Sequence, residues 1–235
     1  DSGHALRQQA WVQDSAAFAH EPDGLWRRAA SADVLGHGSA VVDIVHHLAP
    51  DARLWVAQVF GERPMTTAVQ VAAAVDWLVG EGVQLINLSL GMRDDRAVLA
   101  QACERALAAG VVLCASSPSH GAPVFPAALP GVWRITGDAR CARDEFSWLG
   151  TTQADFGAHV TPLRPGHDGP IAPGQRPPAG SGASMACAHF SGHLAAQWAS
   201  LTADDLPARL AEMRARAHHH GPERRDGPVR TGAAT

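Results

Sequence analysis

A serine hydroxyl attacks a carbonyl carbon at neutral pH only when a neighbouring imidazole takes its proton, and a buried carboxylate must orient that imidazole. The sequence carries all three groups in short glycine-flanked motifs: Asp1-Ser2-Gly3, Gly36-His37-Gly38-Ser39 and Gly182-Ala183-Ser184-Met185-Ala186. Taken singly, Asp1-Ser2-Gly3 reads as a turn and Gly36-His37-Gly38 as a flexible loop. Taken together and in order, they are the parts of a nucleophilic triad. Ser184 is the expected nucleophile, His37 the general base and Asp1 the orienting carboxylate.

Other reactive side chains have plainer readings. His46 and His47 lie near Asp43, but adjacent helical residues face different directions, so no metal is assigned to them. His218-His219-His220 falls among Gly, Pro and Arg and reads as a solvated run. Cys187, one turn past Ser184, and His189 read as packing behind the serine, since His37 already fills the base role. The four cysteines, Cys103, Cys114, Cys141 and Cys187, form no short CxxC pair and read as buried free thiols. The Trp residues read as core or pocket wall. No cofactor motif is found.

The elements that must position the triad follow from apolar runs and their punctuation. Runs of strand length recur at Leu54 to Phe60, Val83 to Leu90, Val111 to Ala115 and Val132 to Thr136. Ala-rich segments with helical spacing lie between them: Ser39 to His47, Thr67 to Val79 and Arg96 to Ala109, the last closed by Gly110. Alternation of this kind predicts a parallel sheet with helices on both faces. Pro162 to Gly182 reads as a surface loop leading into a helix over Ala183 to Ser200, followed by a shorter one over Ala203 to Ala217. One domain is expected over residues 1–217, and residues 218–235 read as a polar, frayed tail.

Composition removes other classes. Of 235 residues, 19 are basic and 23 acidic, giving a formal charge of −4, and the two signs are interspersed. Nucleic acid is therefore not an expected partner. No apolar stretch approaches the ~20 residues of a membrane span, so no membrane partner is expected. The first residues are neither basic nor continuously apolar, so no signal peptide is read, and a cytoplasmic location is the expectation.

The motifs resemble those of the subtilisin-like serine peptidases (subtilases), over Asp1 to about Ala211. The match rests on Asp1-Ser2-Gly3, on His37-Gly38-Ser39 followed by Ala49-Pro50-Asp51-Ala52, on Ile86-Asn87-Leu88-Ser89-Leu90-Gly91, and on Gly182 to Ala186 with His189 and Gly192 behind it. The order Asp, His, Ser is that of subtilisin and differs from the chymotrypsin and α/β-hydrolase orders. The resemblance implies a doubly wound, mostly parallel α/β sheet, with His37 and Ser184 near helix N-termini and Asp1 at the end of a first strand. That strand is expected to precede residue 1.

The resemblance also implies a binding site. Ser184 at a helix start would offer its own N–H and the helix dipole to the developing oxyanion. Ser89, Leu90 and Gly91 would form an edge that receives the substrate as an added β-strand, and Ala115, Ser116 and Ser117 the facing wall of the pocket. Where the family carries an oxyanion-hole Asn, counting without gaps from Gly91 reaches Ser119. Ser119 is therefore the candidate second donor; in the subtilisin example, loss of such a donor costs roughly 3 to 4 kcal/mol. His120 falls at the pocket rim, where the family often has an acidic residue. The stretch Val41 to Leu48 runs without the calcium loop of many secreted subtilisins, and no Asp-rich cluster replaces it, so no calcium is expected there.

Three functions fit these residues. The first is an endopeptidase that forms an acyl-enzyme on Ser184 and processes a dedicated precursor, for instance by leader-peptide removal, as compact maturation subtilases such as that of quinohemoprotein amine dehydrogenase do. A maturation-complex partner is a further candidate for such an enzyme. The second is a peptide-binding pseudoenzyme, suggested by the missing Asn. The third, an esterase, would need Asp204 or Asp205 and His218 after the serine, but Gly182-x-Ser184-x-Ala186 lacks the last glycine of the nucleophile elbow.

Overall fold

The computed structural model describes residues 1–172 and 174–223. In chain order the strands are β1 (Val12–Glu21), β2 (Gly24–Ala29), β3 (Leu54–Gln58), β4 (Leu85–Leu88), β5 (Val112–Ser116), β6 (Trp133–Gly137), β7 (Phe146–Trp148), β8 (Phe156–Ala158) and β9 (His219–His220). The helices are α1 (His37–Leu48), α2 (Ala68–Gly80), α3 (Ala97–Ala108), α4 (Ala183–Gln197) and α5 (Leu206–Ala215), and short 3₁₀ turns span Leu6–Trp11 and Trp198–Ser200.

Local chemistry sets the boundaries. Thr67 caps α2, its hydroxyl accepting from the Gln70 amide at 3.3 Å while Gln70 reaches back to the Thr67 amide at 3.0 Å. Asp205 caps α5 by accepting from the Ala208 amide at 2.7 Å. Gly110 takes φ +79° after α3 and donates to the Leu107 carbonyl at 2.9 Å, the left-handed stop that its position predicted. Strand β5 is buried along its whole length, as a central parallel strand covered on both faces must be.

The larger sheet runs β4-β5-β6-β8-β7-β9; β4, β5, β6 and β8 are parallel, and β7 is antiparallel to β8. Helices α2 and α3 pack on one face through Val71, Val75, Leu99 and Ala106, and α4 and α5 on the other through Cys187, Phe190, Leu194 and Met213. Helix α4 is buried from Met185 through Leu194, so it is a core helix with no solvent-exposed face over that span.

The sheet is divided where continuity was expected. Strand β3 belongs to a second sheet, β2-β1-β3, and it forms no ladder with β4. Between them lies a cavity of about 380 Å³ lined by Leu54, Val56, Ile86 and Leu88, with Val42 of α1 and Val75 of α2 closing its faces. Asp1 sits at its end and pairs beside β3: its nitrogen donates to the Ala57 carbonyl at 2.9 Å, and its carbonyl accepts from Val59 at 2.8 Å.

Two expectations are corrected, and one feature lies beyond them: ahead of His37, β1 and β2 form an antiparallel hairpin in register from Ala16 opposite Ala29 to Glu21 opposite Gly24. Trp26 on β2 is 43% exposed and so is neither core nor pocket wall. The tail is ordered at its start: His218 donates to the Phe146 carbonyl at 2.9 Å, Gly221 to that of Trp148 at 2.8 Å, and β9 extends the sheet beside β7. The remainder of the expected tail, residues 224–235, lies outside the described residues.

Candidate active site

His37 enters the site as the first residue of α1. Gly36 precedes it at φ +76°, a left-handed turn suited to glycine. The Asp33 carboxylate holds this turn: one oxygen accepts from the Leu35 amide at 3.0 Å and the Gly36 amide at 2.8 Å, the other from the Ser39 amide at 2.8 Å and the Ser39 hydroxyl at 2.7 Å. Asp33 thus caps α1 from outside the helix and places negative charge at its N-terminus.

Asp1 is fixed from the other side. Its Oδ1 accepts from the Ser2 amide at 2.7 Å, and the Ser2 hydroxyl in turn accepts from the Gly38 amide at 2.8 Å. Gln58 locks the same loop, donating to the Ser2 carbonyl at 2.9 Å and accepting from the Ser31 amide at 2.9 Å.

These supports bring the three groups together in series. His37 Nδ1 lies 2.8 Å from Asp1 Oδ1, and His37 Nε2 lies 3.0 Å from Ser184 Oγ. The carboxylate can only accept, so the proton of neutral His37 belongs on Nδ1, and Nε2 is left to accept from the serine hydroxyl. Ser184 is the second residue of α4, in the turn whose amides have no intrahelical acceptors. Burial holds His37 below its ordinary range, with Asp33 opposing the shift, so the base is neutral at physiological pH. Against its own burial, hydrogen bonds from Ser39, Gly36 and Ser2 hold Asp33 below the usual carboxylate range.

The other expected site residues divide. Leu90 is half-buried and Gly91 exposed, as a binding edge needs, but the Ser89 hydroxyl is turned inward onto the Ser184 carbonyl at 2.7 Å. Ala115 has no exposed surface. Ser116 donates to the Leu90 carbonyl at 3.1 Å and Ser117 to the Gln153 carbonyl at 2.7 Å, so both hydroxyls serve the fold. Ser119 and His120 are exposed beyond β5, and the Ser119 hydroxyl lies 2.9 Å from His120 Nδ1.

The residues given packing roles hold them. His189 is fully buried and donates to the Thr161 carbonyl at 2.9 Å; burial lowers it to about 3. Burial raises the Cys187 thiol to about 12, which leaves it without thiolate character. His46 stacks on Trp11 at 4.0 Å between ring centroids. Among the described residues, no group of three or more His, Cys, Asp or Glu converges on a metal-sized site.

Sequence reasoning missed Asp33, Gln58 and Ser191. Asp33 left a signal, a carboxylate four residues ahead of His37 and six ahead of Ser39, in the manner of a helix cap. Gln58 and Ser191 left none, because their partners are distant in sequence.

A parallel α/β architecture that carries Asp, His and Ser in that chain order is similar to the subtilisin arrangement. Residues 18–122 match the family described as Subtilase family, a stretch that includes His37 but neither Asp1 nor Ser184. Over that stretch the chain is similar to this family, and the relatives it matches are peptidases by name. It is 28% identical to subtilisin Savinase of Lederbergia lenta over 170 residues, which cover 67% of this chain and 61% of that protein. It is 27% identical to the minor extracellular protease Epr of Bacillus subtilis (strain 168) over 140 residues, covering 54% of this chain and 21% of the other. The chain thus spans from about a fifth to about three fifths of these relatives. In fold it is similar to the S41 psychrophilic protease, with TM-score 0.64 and 21% identity over 92% of this chain and 80% of that one. Sphericase is similar at TM-score 0.64 and 19% identity, over 92% and 81%.

Proposed function

We propose that the chain is a serine endopeptidase acting through an acyl-enzyme on Ser184. The observation that carries this reading is the unbroken relay from Asp1 Oδ1 through both nitrogens of His37 to Ser184 Oγ. Ser184 Oγ attacks the scissile carbonyl carbon as its proton passes to His37 Nε2, and Asp1 holds the imidazolium that forms. His37 then gives the proton to the amine as the C–N bond breaks, leaving an ester on Ser184. Water attacks the ester with His37 again as base, releasing the new carboxylate and restoring the serine hydroxyl. The Ser184 amide at the start of α4 and the Ser119 hydroxyl are the proposed oxyanion donors.

The substrate is proposed to be a segment of a precursor protein, bound as an added strand along Leu90–Gly91 and trimmed at one site, as in cytoplasmic leader-peptide removal, with a maturation partner presenting it. Helix α1 supports this by running unbroken from His37 to Leu48, without the insertion characteristic of many secreted subtilisins. In keeping with such a setting, no described helix is long and apolar enough to cross a membrane.

A second reading, a peptide-binding protein that does not cut, is favoured by one observation: the Ser119 hydroxyl is engaged with His120. Incubation of wild type and Ser184→Ala with a fluorophosphonate, followed by intact mass, separates the two. A single adduct on wild type alone supports the peptidase, and no adduct on a folded wild type supports the binding protein.

A further inference from the structure

Ser89 stands where β4 gives way to the substrate edge, yet it is only 7% exposed, and its hydroxyl donates to the backbone carbonyl of the nucleophile, Ser184, at 2.7 Å. The hydroxyl is oriented from behind. Asn87 Nδ2 donates to Ser89 Oγ at 2.9 Å, and Asn87 Oδ1 accepts from Ser191 Oγ at 3.0 Å. A hydroxyl has one proton, so with Asn87 donating into the oxygen of Ser89, that proton is directed to the Ser184 carbonyl. The path leaves α4 at Ser191, crosses β4 through Asn87 and Ser89, and returns to α4 at its first turn.

We propose that Ser89, oriented by Asn87 and Ser191, is a positioning residue that registers the Ser184 nucleophile against the strand edge where the peptide binds. The proposal rests on the serine-peptidase reading of the site. Its physical basis is that the Ser184 side chain has its own partner in His37, but its backbone must also be held if Oγ is to sit at attack distance from a carbonyl carbon on the adjacent strand. A misplacement of about 1 Å costs on the order of a hundredfold in rate. The edge itself is fixed from the opposite side, where Ser116 donates to the Leu90 carbonyl at 3.1 Å, so nucleophile and edge share one frame. A hydroxyl that merely satisfied a buried carbonyl would contribute to stability and leave the reaction of the folded site unchanged.

The test compares wild type, Ser89→Ala, Ser89→Thr and Ser191→Ala, all well below their melting temperatures. Fluorophosphonate inactivation is resolved into kinact and KI, and hydrogen exchange is followed in peptides covering residues 183–190. Ser89→Ala is expected to lower kinact by about 10- to 100-fold with little change in KI and to speed exchange in the first turn of α4. Ser89→Thr, which keeps the hydroxyl, should recover most of kinact, and Ser191→Ala should fall between. A Ser89→Ala protein that melts lower but keeps wild-type kinact overturns the proposal, as does unchanged exchange in the first turn. If folded wild type is not labelled at all, the peptidase reading has failed, and the exchange comparison alone decides whether Ser89 holds that turn.

Discussion

The backbone of Gly38 rests on that of Gly3 so closely that a Cβ at residue 38 would lie 2.2 Å from the Gly3 carbonyl oxygen. This contact lets the first turn of α1 approach the loop carrying Asp1, and the 2.8 Å bond between Asp1 and His37 depends on it. Gly38→Ala must therefore push the two loops apart. Fluorophosphonate labelling should fall by about a hundredfold or more, with a stability loss on the order of 1–3 kcal/mol by thermal melt. Gly36→Ala makes a useful contrast, because a Cβ there meets nothing within 4 Å and its φ of +76° adds strain of only about 1–2 kcal/mol. Equal labelling rates in Gly38→Ala and wild type would show that the contact does not set the triad geometry.

The rate should carry the titration of His37. Its base form is the neutral one, and its folded-state value is held below the ordinary 6.5, so labelling should rise from acid pH, reach half its maximum below 6.5 and then level off. Asp33→Asn removes the group that opposes the shift, so the half-maximum should move further toward acid while the plateau drops as the Gly36 turn loosens. A half-maximum above 6.5 in wild type would contradict this placement of His37.

Stability should fall with acid for a separate reason. His189 and His193 are buried, with values lowered to about 3 and about 4 from 6.5. Below 6.5 the unfolded chain takes up protons that the folded chain refuses, so the unfolded state gains on the folded one. The stabilisation is complete above 6.5 and is lost progressively as pH falls toward 4 and 3. The two residues together make a loss on the order of several kcal/mol across that window. Urea melts at a series of pH values would show the slope, and His189→Gln should flatten it.

Ser119 offers a direct check of the oxyanion assignment. If its hydroxyl leaves His120 to donate to the substrate oxygen, Ser119→Ala should slow acylation by about a hundredfold and leave the melting temperature unchanged, because the residue is exposed. Ser119→Asn should match or exceed wild type. An unaltered rate in Ser119→Ala would assign the second donor elsewhere.

The parts that were legible in the sequence share a physical character. Strands β3 to β6 and helices α1 to α4 were legible within a few residues, because a parallel sheet covered on both faces needs continuous apolar runs and its helices end at caps such as Thr67 and Gly110. The triad was legible because each member lies within two residues of a glycine in a short motif, and at Gly38 the close approach to Gly3 leaves no room for a side chain. The β1–β2 hairpin was not, although Glu21-Pro22-Asp23-Gly24 is a strong turn signal. Asp14 and Ser15 break the alternation of β1, and β2 is exposed at every position but its first, so neither shows a strand pattern. Strand β9 is too short to have a period and exists only because β7 offers an edge. The Asn87–Ser191 bond spans 104 residues and leaves no local trace.

The Ser184 hydroxyl meets its base across 147 residues of chain. Closing so long a loop adds little entropic cost over a shorter one, but it fixes when the relay can assemble. During synthesis, which proceeds from the N-terminus, Asp1 and His37 are available early, while the residue that attacks emerges only after the parallel sheet has the strands on which α4 must dock. On the serine-peptidase reading, a nascent chain could therefore not cut itself or its neighbours before Ser184 emerges, because the blade is fitted last.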